Sequence, residues 1–202
     1  SVAKVFDMTV ASTGLSEKVL SSEGVPYLSS VTHASSHAGY YPDAKPVTIK
    51  LVFSPDGKIY GAQVVGYDGV DSRIDIIASV MGMNGTVFDL GEVEHAYAPP
   101  FSSAKDPVNA AGFTAENIVR GLVKTVTWKD MANEKDSFIL DVRTREEFSL
   151  GSIPGSVNIP LDELRENFGK VPNGRRIVVT CAAGLRGYLA SRILEQNGFT
   201  DV

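Results

Sequence analysis

Cys181 is the only cysteine in the chain, and its surroundings are those of a reactive thiolate. It stands in Thr180-Cys181-Ala182-Ala183-Gly184-Leu185-Arg186-Gly187-Tyr188, directly after the apolar run Ile177-Val178-Val179 and before a helical pattern. At a strand-to-helix junction, successive backbone N–H groups can converge on one point above the positive end of the helix. Both effects favour the thiolate over the thiol. The small residues Ala182, Ala183 and Gly184 allow a tight curl, and Arg186 offers a fixed positive charge to an anionic sulfur donor. A lone cysteine is more often an inert buried residue, but the glycine and arginine that follow argue against that here. A cysteine phosphatase uses the same device with arginine at the sixth position after the cysteine. Here the sixth position is Gly187 and Arg186 is the fifth, which makes a smaller ring suited to one sulfur atom.

A second unusual stretch is Glu94-His95-Ala96-Tyr97-Ala98-Pro99-Pro100-Phe101-Ser102-Ser103-Ala104-Lys105-Asp106-Pro107. Two adjacent prolines restrict the backbone and make a rigid, partly apolar loop ahead of a helix. The three histidines, His33, His37 and His95, lack metal-ligand spacing and are expected at the surface or in an interface.

The elements that must position these residues fall into two styles. Up to about Thr86 the pattern is antiparallel β structure interrupted by helices. Residues 47–53 form a strand, Ser54-Pro55-Asp56-Gly57 a turn, and 58–65 the returning strand. Ser16 to Glu23 is a short helix capped by Ser16. Asp71 to Met83 places Ile74, Ile77, Ala78 and Met81 on one helical face. A further helix runs from Pro107 to Val123 with Asp106 as its cap. After Gly121 the pattern becomes α/β. Residues 137–142 and 175–180 are buried parallel strands, and 144–150, 161–168 and 186–197 are helices. The expected fold is thus an α+β unit with an antiparallel sheet over 1–123, then an α/β unit with a parallel sheet over 124–202.

Composition narrows the function. Of 202 residues, 43% are apolar and 21% charged, as in ordinary soluble proteins. No apolar run approaches the roughly 20 residues of a membrane helix. Residues 1–123 hold 8 basic and 13 acidic side chains and residues 124–202 hold 11 of each. An acidic first half and a neutral second half offer no basic face for nucleic acid. The single cysteine excludes an internal disulfide and fits the cytoplasm. The chain opens on Ser1 rather than Met, so a processed or excised piece is expected.

Leu140-Asp141-Val142-Arg143-Thr144-Arg145-Glu146-Glu147-Phe148, Gly151-Ser152-Ile153-Pro154-Gly155-Ser156-Val157-Asn158-Ile159-Pro160 and the Cys181, Gly184, Arg186 loop together resemble the signatures of rhodanese domains. Ser152 stands where that family usually has histidine, and the chain stops at Val202, where the family continues through a closing segment, so a truncated copy is expected. The resemblance implies a sulfurtransferase in which Cys181 carries sulfur as a persulfide, with Arg186 catalytic and Ala182, Ala183, Gly184, Leu185 and Gly187 forming the anion-binding loop.

The Tyr97–Ser102 stretch, Phe113-Thr114-Ala115-Glu116-Asn117, Val2–Phe6 and His37-Ala38-Gly39-Tyr40-Tyr41-Pro42 resemble the dimerisation domain of flavin-dependent pyridine nucleotide–disulfide oxidoreductases, in its coenzyme A–disulfide reductase branch. That resemblance implies a homodimer, FAD and NAD(P)H as cofactors, no metal, and coenzyme A disulfide or persulfide as substrate. Tyr97 and either Tyr40 or Tyr41 would reach the partner's active site, and Ala98, Pro99, Pro100 and Phe101 would lie near the partner's flavin. The FAD- and NAD-binding domains are not among these residues, so the chain is expected to be the tail or a fragment of a larger enzyme. The competing function is a dimerisation and partner-binding module without catalysis.

Overall fold

The computed structural model describes residues 1–131 and 136–202. It divides into two compact units, Ser1–Arg120 and Gly121–Val202.

The first unit is a five-stranded antiparallel sheet in the order β1-β2-β5-β4-β3, built from β1 (Val2–Val5), β2 (Met8–Gly14), β3 (Leu28–Ser35), β4 (Pro46–Phe53) and β5 (Ile59–Gly66). The β4–β5 turn closes as its residue types predict. Ser54 Oγ donates to Asp56 and accepts from the Lys58 N–H at 2.8 Å, while the Gly57 N–H donates to Ser54 O at 2.9 Å. Val47, Ile49, Leu51 and Phe53 of β4 point to one face, with Ala62 and Val64 of β5. That face is covered by α2 (Val70–Gly82) and α4 (Pro107–Val119), with α3 (Val87–Glu92) and α4 in mutual contact. The short α1 (Glu17–Ser22) is capped by Ser16, whose hydroxyl accepts from the Val19 N–H.

Three expectations for this unit need correction. On α2 the expected Ile74 and Ile77 are buried, but Ala78 and Met81 are only half-buried, Met81 against the core, and Val70, Arg73 and Val80 complete the inner face instead. Helix α4 stops at Val119, not Val123, because Arg120 ends it and Gly121 takes φ 67°, a left-handed conformation that terminates helices. His37 is buried, not superficial, at 6% exposure.

A buried arginine in an otherwise apolar stripe demands partners. Arg73 and Asp106 are each 4% exposed and form an ion pair, Nη2 to Oδ2 at 2.9 Å and Nε to Oδ1 at 3.3 Å. The remaining guanidinium donors reach Gly69 O at 2.9 Å and Ser36 O at 2.6 Å. Asp106 is also the α4 cap, accepting from the Val108 N–H at 2.9 Å, and it accepts from Ser102 Oγ at 2.7 Å. One pair therefore ties α2, the start of α4, the end of β3 and the loop before α4 together. No side-chain carbon is tolerated at Gly69, where a Cβ would lie 2.0 Å from Arg73 Nη1.

The second unit has a three-stranded parallel sheet in the order β7-β6-β8, from β6 (Phe138–Asp141), β7 (Val157–Asn158) and β8 (Ile177–Thr180). Around it lie α5 (Trp128–Met131), α6 (Arg145–Ser149), a 3-10 stretch (Leu161–Lys170) and α7 (Leu185–Gln196). The core is Leu140, Val142, Ile159, Leu164, Ile177, Ala190, Leu194 and their neighbours. Residues 161–168, expected as an α-helix, form 3-10 turns with non-helical angles at Asn167. Pro160 fixes the entry through a Glu163 N–H to Pro160 O bond of 2.9 Å, and Asn167 Nδ2 takes Glu163 O at 2.8 Å. Such local bonds compete with the helical ladder. Ile177 N–H donates to Asp201 O at 2.8 Å, so the last residues run beside β8.

Removing one partner of the buried pair should be costly. Asp106→Asn leaves Arg73 underneutralised and should lower the unfolding free energy of the first unit by about 3–5 kcal/mol at neutral pH, measured by urea denaturation. Burial opposes ionisation of Asp106, but the Val108 N–H, Arg73 and Ser102 overcome it and hold its carboxyl below the usual range. A carboxyl depressed on folding stabilises fully above its unfolded pKa, near 3.9, and loses that contribution as pH falls through the folded value. The gap between wild type and Asp106→Asn should therefore narrow only in acid.

Candidate functional site

In the first unit the two loops singled out by residue type are brought together. The loop 36–45 begins at Ser36, whose carbonyl is held by Arg73 and whose hydroxyl accepts from the Lys45 N–H at 3.1 Å. His37 bridges the same loop, Nδ1 to Ser36 Oγ at 3.1 Å and Nε2 to Pro42 O at 2.9 Å. The second loop is fixed at both ends. Asn109 Nδ2 donates to the carbonyls of Leu90, Gly91 and Val93 at 3.2, 3.2 and 2.9 Å, and Asp106 anchors the far end. The Ala38 N–H to Ser102 O bond of 3.1 Å joins the two loops.

At the tips Tyr40 and Tyr97 meet, Oη to Oη at 3.0 Å. Both are open to solvent, Tyr40 78% and Tyr97 48% exposed. Sequence leaves Tyr40 and Tyr41 undecided. Here Tyr40 is the one paired with Tyr97, while Tyr41 turns its ring edge to His37 with centroids 5.8 Å apart. The hydrogen bond to Tyr40 is the main reason that the Tyr97 phenol is pushed above its ordinary pKa. Ala98 to Phe101 make a turn in which Ala98 O accepts from the Phe101 N–H at 2.9 Å and the Ser102 N–H at 3.2 Å. Phe101 is 80% exposed. Of the other histidines, His33 Nδ1 lies 2.9 Å from Thr48 Oγ1, and His95 Nε2 is buried without a hydrogen-bond partner among the described residues.

The second unit centres on Cys181. Strand β8 ends at Thr180, and α7 begins at Leu185 with Gly184 as its cap at φ 99°. That angle is open to glycine and rarely to other residues, and it turns the loop back over the sulfur. The N–H groups of Gly184 and Gly187 donate to Sγ at 3.1 and 3.3 Å. Ala182, Ala183, Gly184 and Leu185 are exposed, and Cys181 is half-buried.

Arg186 is not the free cation that its spacing suggests. It makes an end-on pair with Glu147, Nη1 to Oε2 at 2.6 Å and Nη2 to Oε1 at 2.7 Å. Glu147 also accepts from the Thr144 N–H at 3.0 Å in the capping box of α6. Arg186 and the Thr144 N–H pull its carboxyl down to about 2. Behind this pair, Arg143 is gripped by buried Asp141 through Nε and Nη2 at 2.7–3.0 Å and reaches Gly151 O at 2.8 Å. Sequence gives no sign of the distant partners of Arg73, Asn109 and Glu147, although Asp106-x-x-Asn109 and Thr144-x-x-Glu147 carry a local capping-box spacing. Ser152 is exposed.

The comparisons with known proteins fall on the same division. Residues 1–108 match the family model of the pyridine nucleotide-disulphide oxidoreductase dimerisation domain, and 125–202 match the rhodanese-like domain. The chain belongs to the pyridine nucleotide-disulphide oxidoreductase family. Over its whole length it is 53% identical to the crystal structure of reduced Bacillus anthracis CoADR-RHD, with a TM-score of 0.97 and 37% of that chain covered. A NAD-dependent persulfide reductase from A. fulgidus is 36% identical over 98% of this chain and 36% of its own, with a TM-score of 0.88. Coenzyme A disulfide reductase of Staphylococcus epidermidis is 39% identical over 117 residues, 57% of this chain and 26% of that protein. The chain thus spans 26–37% of the length of these relatives. Among the described residues, no helix is long and apolar enough to cross a membrane.

The hydrogen bond of the tyrosine pair can be tested directly. In Tyr40→Phe the Tyr97 phenol should titrate lower than in wild type, seen by NMR of ring-labelled tyrosine. An unmoved Tyr97 curve would mean that the bond to Tyr40 does not raise the Tyr97 phenol.

Proposed function

We propose that this chain serves a flavin- and nicotinamide-dependent reductase of coenzyme A disulfide or coenzyme A persulfide, its second unit carrying sulfur as a Cys181 persulfide. The observation that carries the reading is the pair of N–H groups, from Gly184 and Gly187, aimed at Cys181 Sγ. Such donors stabilise negative charge on sulfur, before transfer and after it. In the transfer, the Cys181 thiolate attacks the outer sulfur of a donor R–S–SH. A new S–S bond forms, the donor's S–S bond breaks, and its electron pair leaves on R–S⁻.

The first unit supports a homodimer in which each subunit presents its tyrosine pair to the other. Tyr97, hydrogen-bonded to Tyr40 at 3.0 Å, serves in this reading as the general acid that protonates a leaving coenzyme A thiolate. The cofactors of this reading are FAD and NAD(P)H. The turn 98–101 fits the edge of a flavin rather than its cradle. Its carbonyl at Ala98 is already bonded internally, and what it offers outward is proline and phenyl surface. A flavin beside this turn would accept hydride from the nicotinamide. One free cysteine and no disulfide suit the cytoplasm.

Two measurements test the two halves separately. Thiosulfate or an organic persulfide should add one sulfur atom, about 32 Da, to the chain, removable by cyanide, and Cys181→Ser should add nothing. A folded wild type that stays unmodified under excess donor would refute the sulfur-carrying role. In a reductase that contains this chain, Tyr97→Phe with Tyr40→Phe should lower turnover of coenzyme A disulfide by about 10²-fold or more, with flavin content and nicotinamide oxidation retained. Full turnover in that double variant would leave the tyrosines as packing.

A further inference from the structure

The charges beside Cys181 cancel in pairs. Asp141 holds Arg143 and Glu147 holds Arg186, each through two hydrogen bonds or more. The four groups and the thiol form one cluster. The Asp141 hydrogen bond is the main influence keeping Arg143 protonated, with Glu147 adding to it and Arg186 opposing it. Arg186 is held protonated chiefly by Glu147, and more weakly by Cys181 and Asp141. Two cations meet two anions, so a Cys181 thiolate would leave the cluster one negative charge in excess.

Glu147 is the member that can be removed without dismantling the rest. Asp141 is buried at the end of β6 and its Oδ1 also takes the Arg143 N–H at 3.0 Å, so it is part of the fold. Glu147 sits on the half-open side of the cluster, and both of its oxygens lie on the fork of Arg186. The end-on face of that guanidinium, the face that would grip a small oxyanion bidentately, is thereby occupied. With a folded carboxyl pKa of about 2, Glu147 keeps its charge at any working pH.

We propose that Glu147 sets the charge selectivity of Cys181, holding Arg186 neutralised so that small dianionic sulfur donors are disfavoured against organic donors of lower charge. The inference rests on the sulfur-carrying role of Cys181 and specifies its substrate class: sulfane sulfur attached to an organic group, R–S–SH or R–SO₂–S⁻, rather than inorganic thiosulfate. Glu147 is a positioning residue that acts through Arg186.

The test uses two donors that differ by one charge, thiosulfate and benzenethiosulfonate, with the whole 202-residue chain. In each, the thiolate attacks the outer sulfur and the S–S bond breaks with its electron pair leaving on sulfite or benzenesulfinate. Cyanide then takes the sulfur as thiocyanate and returns the thiolate. Glutamine at position 147 preserves the capping box of α6, since either residue type serves there. Glu147→Gln should raise the ratio of kcat/KM for thiosulfate to that for benzenethiosulfonate about 3- to 10-fold, the worth of one nearby charge per unit of donor charge. The gain should shrink with added salt and vanish in Glu147→Gln with Arg186→Gln. A folded Glu147→Gln that takes up sulfur with an unchanged or lowered ratio overturns the proposal. If the glutamine variant does not fold, Glu147→Ala is measured in its place: a raised ratio supports the proposal and an unchanged or lowered one overturns it. Failure of wild type to take sulfur from either donor would instead overturn the persulfide reading itself.

Discussion

The buried ion pair between Arg73 and Asp106 is the constraint on which the first unit depends. Taking a guanidinium and a carboxylate out of water is expensive, and the pair is tolerated because each guanidinium nitrogen and each carboxylate oxygen is hydrogen-bonded. What those extra bonds hold is informative. Gly69 O and Ser36 O lie at the start of α2 and the end of β3, and Ser102 Oγ and the Val108 N–H lie on either side of Asp106. A hydrophobic pair of the same volume could fill the space, but it could not fix four carbonyl, hydroxyl and amide groups at once. The ion pair thus serves position more than stability. The loops it positions are the two that carry the tyrosines.

The second unit solves a different problem with similar parts. On the proposed sulfur-carrying role the Cys181 thiolate must remain accessible, which the exposed residues 182–185 allow while the sulfur's own environment stays controlled. Gly184 turns the chain so that its own N–H and that of Gly187 face Sγ, a result that needs the positive φ of Gly184. The arginines lie farther out and are compensated by Glu147 and Asp141. Short-range stabilisation of negative sulfur comes from backbone dipoles, which cannot be titrated away. In the proposed sulfur carrier, side-chain charge is then left to decide which donor approaches.

Much of this was legible in the residues, and the exceptions have a common cause. The Ser54–Gly57 turn, the caps at Ser16 and Asp106, and the strand–loop–helix around Cys181 are local, so neighbouring residue types specify them. The 3-10 stretch after Pro160 also had a local signal, in the proline and in Asn167, outweighed by an amphipathic pattern that suits either helix. Strand β7 has two residues and no periodicity to read. Nothing near Arg73 in the sequence marks it as buried, because its partner lies 33 positions away. Arg186 looked free for the same reason, with Glu147 39 positions before it in the chain. Periodicity tells which face a residue occupies, but not that a charge on the inner face has a partner waiting there.

That distinction bears on what the tyrosine pair can be worth. A hydrogen bond between two solvent-exposed phenols is matched by bonds to water, and its net contribution is about 1 kcal/mol at most. The 3.0 Å approach of Tyr40 to Tyr97 therefore cannot be what holds the loops together. The order runs the other way: buried polar contacts at the loop bases, at His37, Ser36, Ser102 and Asn109, set the loops, and the hydroxyls meet as a consequence. Ordering two rings at a surface is wasteful unless something covers them. Once a partner surface excludes water, the same hydrogen bond strengthens, and the entropy of placing both phenols has already been spent in folding.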